Sequence, residues 1–402
     1  MSKKEFKREA KGAKPVLAIC YDFDKTLSPN DMQAQGYIQA VGYDVEDFWT
    51  ESNALAEENE MDQNLAYMYT MLRTATGRII FNREKLGEYG AKVQLFPGVE
   101  EWFQRICAYG EEHNVTVEHY IISSGLKEMI EGTTVAKSGA FKKIYASSFY
   151  YDPKTGLAEW PAQVINYTNK TQFLFRIEKG VLDINDDGVN DYFAPEDMRV
   201  PFRNMVYIGD SDTDIPCMKL VNSYGGHSIG VYNRDTEDKT KVHKMMRDGR
   251  IKYYVPADYS AGTKLDSLVK RIIDRTSANE ALEDIYYQCK KENIATDSNN
   301  SEDGQKKTDL LLSLESSRSF ATTHLLIKKL KSCQNWTQPQ KERLFKIAVE
   351  NKQVFYVLGD PDVKQFYQKL FVNSEHLTEN AKAVKAELQK EKPSPQDKKH
   401  SL

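Results

Sequence analysis

The chain has little of what marks a membrane-spanning, secreted or nucleic-acid-binding protein. No apolar run approaches the roughly eighteen residues that a membrane-spanning helix needs. Cysteine is scarce. The five in 402 residues, Cys20, Cys107, Cys217, Cys289 and Cys333, are odd in number, far apart and free of any CxxC pair. That argues against both a disulfide framework and a zinc site, and makes a reducing cytoplasm the expected location. Positive charge is not in excess either: a net charge of −4 leaves no basic field to draw nucleic acid or an anionic membrane. The seven histidines fall into no metal-ligand spacing. The basic N-terminus leads into an apolar stretch that Asp22 and Asp24 cut short, so a signal-peptide core is not expected there. With 40% hydrophobic and 28% charged residues, the composition is that of a globular protein long enough for two or three domains.

What is present is a rhythm of short buried strands separated by helix-length stretches. Val16 to Tyr21, Val115 to Ser123, Ile144 to Ser148, Met205 to Gly209 and Ser228 to Tyr232 are rich in Val, Ile and Tyr. That is the signature of a doubly wound α/β parallel sheet. Pro97-Gly98 followed by Val99, Phe103 and Ile106 predicts the helix entering the second strand. Residues 29–95 differ in character: Leu65, Met68, Tyr69 and Leu72 recur at the helical period, as in an inserted helical subdomain. The core is thus expected over 1–28 and 96–285, interrupted by that insertion, with a surface hairpin over 150–167. A polar linker is expected over 286–308, a helical region over 309–391 and a disordered tail over 392–402. Within the helical region Thr337 and Gln340 have the spacing of a capping box.

An open α/β sheet presents its site at the carboxyl ends of its strands, and Asp22 and Asp24 stand at such an end. One carboxylate there can attack a phosphoryl group while the second handles the leaving-group proton. Other strand ends carry matching features. Ser123-Ser124-Gly125 offers hydroxyls and a small-residue turn to a phosphate oxygen, and Gly209-Asp210-Ser211-Asp212-Thr213-Asp214 is an acid cluster suited to a hard cation. Between them Lys170 opens an apolar-periodic stretch, from which its ammonium can reach the site.

This ordered set resembles the haloacid dehalogenase superfamily, and within it the phosphoserine-phosphatase-like phosphatases. Asp22-Phe23-Asp24-Lys25-Thr26 matches the first motif, Ser123 the second, Lys170 the third, and Gly209-Asp210 with Asp214 the fourth, where Ser211 replaces the usual second glycine. The resemblance implies that Asp22 forms an aspartyl-phosphate and that Asp24 protonates the departing alcohol, then deprotonates the hydrolytic water. It implies Mg²⁺ held by Asp22, the main-chain carbonyl of Asp24 and Asp210, with Asp214 completing the metal site, and Ser123 and Lys170 steadying the phosphoryl oxygens. The acid at Asp24 favours a phosphatase over a dehalogenase. The insertion falls where the family places a cap.

The expected activity is Mg²⁺-dependent hydrolysis of a small phosphomonoester. Transfer to an alcohol other than water is the alternative among enzymes, and a regulatory protein using the core as a ligand-sensing platform is the alternative outside them. Arg73, Arg78 and Arg83 in the insertion are expected on a solvated helix face. Asp183 to Asp191 has oxygen ligands and a glycine spaced as in a calcium loop, but Ala194 stands at the twelfth position, so a polar surface loop is expected. Cys217 is expected as a small buried residue. The aromatics Trp336, Phe345, Phe355, Tyr356, Phe366 and Phe371 imply either a small C-terminal bundle, the favoured reading, or a surface for a protein partner.

Overall fold

A computed structural model of the chain describes residues 6–295, 302–371 and 377–389. Seven strands form one sheet: β1 (Val16–Tyr21), β2 (Thr116–Leu126), β3 (Lys143–Tyr151), β4 (Ala158–Gln163), β5 (Met205–Gly209), β6 (His227–Tyr232) and β7 (Tyr253–Pro256), in the order β4-β3-β2-β1-β5-β6-β7. All neighbours are parallel except β3 and β4. The hairpin expected over 150–167 is this antiparallel pair. The carbonyl of Leu157 accepts from the Asp152 amide, and Gly156 takes the left-handed φ of 71° that the turn requires.

Alternation along β1 shows why a continuous apolar run suits a central strand. Leu17, Ile19 and Tyr21 enter the core on one face of the sheet, while Val16, Ala18 and Cys20 enter a second core on the other. Helix Val99–Glu112 covers the first face through Trp102, Phe103 and Ile106, and helices Thr171–Lys179 and Ile215–Ser223 cover the second.

Residues 29–95 form helices, chiefly Val45–Glu58, Gln63–Ala75 and Arg83–Gly90. Each starts at an Asx cap: Asp44 accepts from the Glu46 amide, Asp62 from Asn64 and Leu65, and Asn82 from Lys85. Helix Arg83–Gly90 lies backbone to backbone on helix Lys127–Gly132, where a Cβ at Gly90 would stand 1.9 Å from the Met129 carbonyl oxygen.

The chain divides into two compact units, Met1–Asn190 with Met198–Glu280, and Asp191–Asp197 with Ala281–Leu402; the boundary falls inside helix Lys264–Ala295. The linker expected over 286–308 is largely helical: Lys264–Ala295 continues to its end, and Glu302–Glu315 begins the next helix. Residues 286–295 contain neither proline nor glycine and are rich in Lys, Glu and Gln, so they extend a helix rather than end it. The second unit has its own core, in which Leu311, Leu314, Ile327, Leu344, Phe345, Phe366 and Tyr367 are buried. Its Thr337–Gln340 capping box is formed. Phe355 and Tyr356 stay exposed. The tail expected over 392–402 lies outside the described residues. Among the described residues no helix is long and apolar enough to cross a membrane.

Candidate active site

The Asp22 amide donates to the Ile208 carbonyl of β5 at 3.0 Å, which ties the end of β1 to its neighbour. The chain then turns sharply: the Phe23 carbonyl accepts from the Leu27 amide at 2.9 Å, and Lys25 takes a left-handed φ of 58°. Asp24 Oδ1 accepts from the Met32 amide at 2.8 Å, so the first turn after residue 31 orients this second acid. The β2–β3 ladder skips between Ser123 and Leu126, leaving Ser124 and Gly125 as a bulge. A Cβ at Gly125 would meet Met32 Cε at 2.4 Å and Asp24 Oδ2 at 2.9 Å, so the glycine lets this turn approach the second acid closely.

These strand ends border a cavity of about 210 Å³, lined by Asp22, Asp24, Ser123, Ser124, Gly125 and Asp210 from the sheet side and by Gln33, Trp49, Asn64 and Tyr67 from the insertion. Lys25 and Lys241 also line it. Beside the cavity, the start of helix Gln63–Ala75 hydrogen-bonds the insertion to the sheet side. Asn166 Nδ2 donates to Asp62 Oδ2 at 2.8 Å, Asn64 Nδ2 to the Ile165 carbonyl at 3.0 Å, and the Tyr67 hydroxyl to the Ser124 carbonyl at 2.6 Å.

Lys170 stands just before helix Thr171–Lys179 and is fully buried. Its Nζ lies 2.8 Å from Asp214 Oδ1 and 3.2 Å from Asp22 Oδ2. Burial works against its ammonium, but Asp214 and Asp22 outweigh burial and raise it above the ordinary lysine value. Asp214 is engaged on both oxygens: Oδ1 also accepts from the Tyr207 hydroxyl at 2.9 Å, and Oδ2 from the Ser211 amide and hydroxyl at 3.3 and 3.2 Å. Gly209 admits this arrangement, because a Cβ there would stand 2.4 Å from Asp214 Oδ2.

One carboxylate oxygen from each of Asp22, Asp210 and Asp214 lies within 4.8 Å of the others. Burial and the Asp214 charge push Asp22 up to about 6, against Lys170, the Phe23 amide and the Ser123 hydroxyl. Burial, with Asp214 and then Asp22 beside it, pushes Asp210 up to about 8. Asp210 is buried and its carboxylate has no hydrogen-bond partner among the described residues, whereas Asp214 has its full complement. Three neighbouring acids with one of them unsatisfied fit a hard divalent cation with oxygen ligands. Asp24 is raised well above the carboxylate range by burial, then by Asp31 and Asp22.

The structure thus brings Asp22, Asp24, Ser123, Ser124, Lys170, Asp210 and Asp214 to one place. Ser123 Oγ accepts from the Gly125 amide at 3.1 Å, while the Ser124 hydroxyl is sealed away without a partner among the described residues. Arg73, Arg78 and Arg83 are outside the cavity lining: Arg73 pairs with Glu51, Arg78 Nη1 donates to the Thr74 carbonyl, and Arg83 reaches Glu131. Cys217 is buried and its thiol is pushed up to about 12 by burial, which keeps it protonated. In the 183–191 segment the carbonyls turn onto an arginine: Arg176 donates to those of Asp183, Ile184 and Asp186 at 2.6, 2.8 and 2.9 Å. Tyr207, Gln33, Trp49, Tyr67 and Lys241 escaped the sequence reading. Tyr207 lies inside an apolar strand, and the others reach the cavity only through tertiary packing.

A family model described as haloacid dehalogenase-like hydrolase matches residues 19–219. An uncharacterized protein of Borreliella burgdorferi is 26% identical over 279 residues, which are 62% of this chain and 94% of that one. Among solved structures, a haloacid dehalogenase family hydrolase from Salmonella enterica serovar Typhi is 16% identical at a TM-score of 0.44, over 65% of this chain and 74% of the other. A probable phosphoserine phosphatase from Vibrio cholerae is 13% identical at a TM-score of 0.44, over 66% and 67%.

Proposed function

The chain belongs to the haloacid dehalogenase-like hydrolases, and from that premise we propose that it hydrolyses small phosphomonoesters through a covalent phosphate on Asp22. The observation that carries this reading is the pairing of Asp22 with a fully buried Lys170 at 3.2 Å, next to an Asp24 whose carboxyl burial raises well above the ordinary carboxylate range.

Asp22 attacks phosphorus, the phosphorus–oxygen ester bond breaks, and Asp24 gives its proton to the departing alkoxide. Water then attacks the phosphorus of the aspartyl-phosphate while Asp24 takes up one of its protons. The bond to Asp22 breaks and inorganic phosphate leaves. Lys170 holds the attacking carboxylate in place and, with the Ser123 hydroxyl, meets charge that moves onto the phosphoryl oxygens. Asp214 orients Lys170 and is held in turn by Tyr207 and Ser211. The residues suited to hold Mg²⁺ are Asp22, Asp210 and the main-chain carbonyl of Asp24, with Asp214 behind them. Bound there, the cation offsets the repulsion between a carboxylate nucleophile and a phosphate dianion. The helices of residues 29–95 act as the cap, closing the cavity over the reacting groups.

Release of inorganic phosphate from a panel of phosphorylated metabolites, with Mg²⁺ and with EDTA, tests this directly. Turnover is expected only with the metal, and Asp22→Asn is expected to lose more than about 10³-fold. An Asn variant that keeps its turnover, or a metal-loaded protein that releases phosphate from nothing, would sink the reading.

A further inference from the structure

Gln33 is 3% exposed, and its side-chain amide has no hydrogen-bond partner among the described residues. A carboxamide with no protein partner has its donors and acceptor free for whatever fills the cavity, so an unspent one in a cavity wall is a ready contact for a ligand. Neither its oxygen nor its nitrogen is among the sealed, unpartnered atoms of the interior. The small remaining exposure is therefore at the amide itself, and Gln33 lines the cavity.

Its neighbours locate that amide. Gln33 follows Met32, whose backbone N–H fixes Asp24 Oδ1 at 2.8 Å. It is thus one residue from the contact that orients the proposed proton donor to the leaving oxygen. Of the other polar groups on the insertion helices that line the cavity, Asn64 Nδ2 is spent on the Ile165 carbonyl and the Tyr67 hydroxyl on the Ser124 carbonyl, and the Trp49 indole N–H is sealed away from the cavity space without a partner among the described residues. The phosphoryl group has its own partners in Lys170 and Ser123. No arginine lines the cavity among the described residues, so the amide is not a helper to a guanidinium clamp.

We propose that Gln33 hydrogen-bonds the alcohol half of the substrate, selecting phosphomonoesters whose leaving group carries an uncharged donor–acceptor pair, such as sugar hydroxyls or the amide edge of a nucleobase. This rests on the phosphatase reading above. An amide presents one acceptor and two donors and carries no charge, so it is satisfied by a group of the same kind and gains nothing from an apolar ring. A site built to hydrogen-bond a substrate group discriminates against analogues lacking it more sharply than an apolar pocket discriminates by size.

The test compares kcat/KM for phenyl phosphate, which has no polar group in its leaving half, with two sugar phosphates and two nucleoside monophosphates, for the full chain with Mg²⁺. Wild type is expected to favour at least one polar class over phenyl phosphate by about 10-fold or more, and the class favoured distinguishes hydroxyls from a base edge. Gln33→Leu is expected to reduce that preference by about 10- to 100-fold, and Gln33→Glu, which loses the donors at constant shape, to reduce it as well. Equal kcat/KM across the panel in wild type overturns the inference whether or not the variants fold. So does a preference that the folded variants leave unchanged. Failure of wild type to release phosphate from phenyl phosphate and from every other substrate marks failure of the hydrolytic reading itself, and the inference falls with it.

Discussion

Lys170 and Asp214 form an ion pair, Nζ to Oδ1 2.8 Å, in which neither side chain exposes any surface. A pair so buried repays its desolvation only when its other hydrogen bonds are met, and Tyr207, Ser211 and Asp22 meet them here. Removing the cation by Lys170→Met leaves two carboxylates facing each other without compensation. That is expected to cost about 3–5 kcal/mol in urea unfolding and to abolish turnover. The double variant Lys170→Met/Asp214→Leu is expected to regain much of the stability and none of the activity. Recovery of activity in the double variant would show that Lys170 serves the fold alone.

Gly125→Ala is expected to damage chemistry more than folding. Its Cβ would press on Met32 Cε at 2.4 Å, the flexible end of a thioether, and on Asp24 Oδ2 at 2.9 Å. The thioether can swing aside at little cost, whereas Asp24 is tethered through Oδ1 to the Met32 amide, so the displaced group is the proposed acid. Turnover is expected to fall about 10- to 100-fold with less than about 1 kcal/mol lost in stability. A variant of native kcat would place the proton donor elsewhere.

The sheet was readable wherever a strand is a continuous apolar run. β1 and β5 keep the expected bounds because both faces of each are buried, and nothing polar interrupts them before the acids at their ends. β7 was missed: it has four residues, ends on Pro256 and buries only Val255. The acids, Ser123 and Lys170 were legible because parallel topology sends every strand end to one rim, where order along the chain suffices. Tyr207 was not, since its hydroxyl matters only once Asp214 is known to pack against it. Nor was Arg176 legible as the group that collects the carbonyls of residues 183–186, because a guanidinium and a cation ask the same thing of a loop.

Stability is expected to fall with acid through His119. Burial lowers its imidazole to about 3 in the fold, against an ordinary 6.5. Above 6.5 neither state binds the proton and the residue is neutral to stability. As pH drops below 6.5 the unfolded chain takes up a proton that the fold refuses, so folding loses about 1.4 kcal/mol per pH unit until about pH 3. At pH 5 this amounts to about 2 kcal/mol. Urea midpoints of wild type and His119→Asn at pH 7 and pH 5 isolate the effect, since other groups titrate alike in both. A difference between the two proteins that does not change with pH would mean that the imidazole takes up its proton as readily in the fold as in the unfolded chain.

Asp210 and Asp22, pushed up to about 8 and about 6 by burial and by the neighbouring acids, link the binding of a cation to the release of protons. A carboxylate raised in this way is protonated below its own value and must give that proton up before it can act as a ligand. At pH 7 the group near 8 is mostly protonated and the group near 6 mostly ionised, so Mg²⁺ uptake is expected to release close to one proton. Apparent affinity should weaken as pH falls below about 8, and more steeply below about 6, where a second proton is displaced; the two steps belong to the acid cluster as a whole. Titration calorimetry in two buffers of different ionisation enthalpy counts the protons. Asp210→Asn, which has nothing to release near pH 8, is expected to lose the release at pH 7 along with most of the affinity. Mg²⁺ uptake without proton release at pH 7 would mean that Asp210 is already ionised before the cation arrives, with its charge met by something other than the metal.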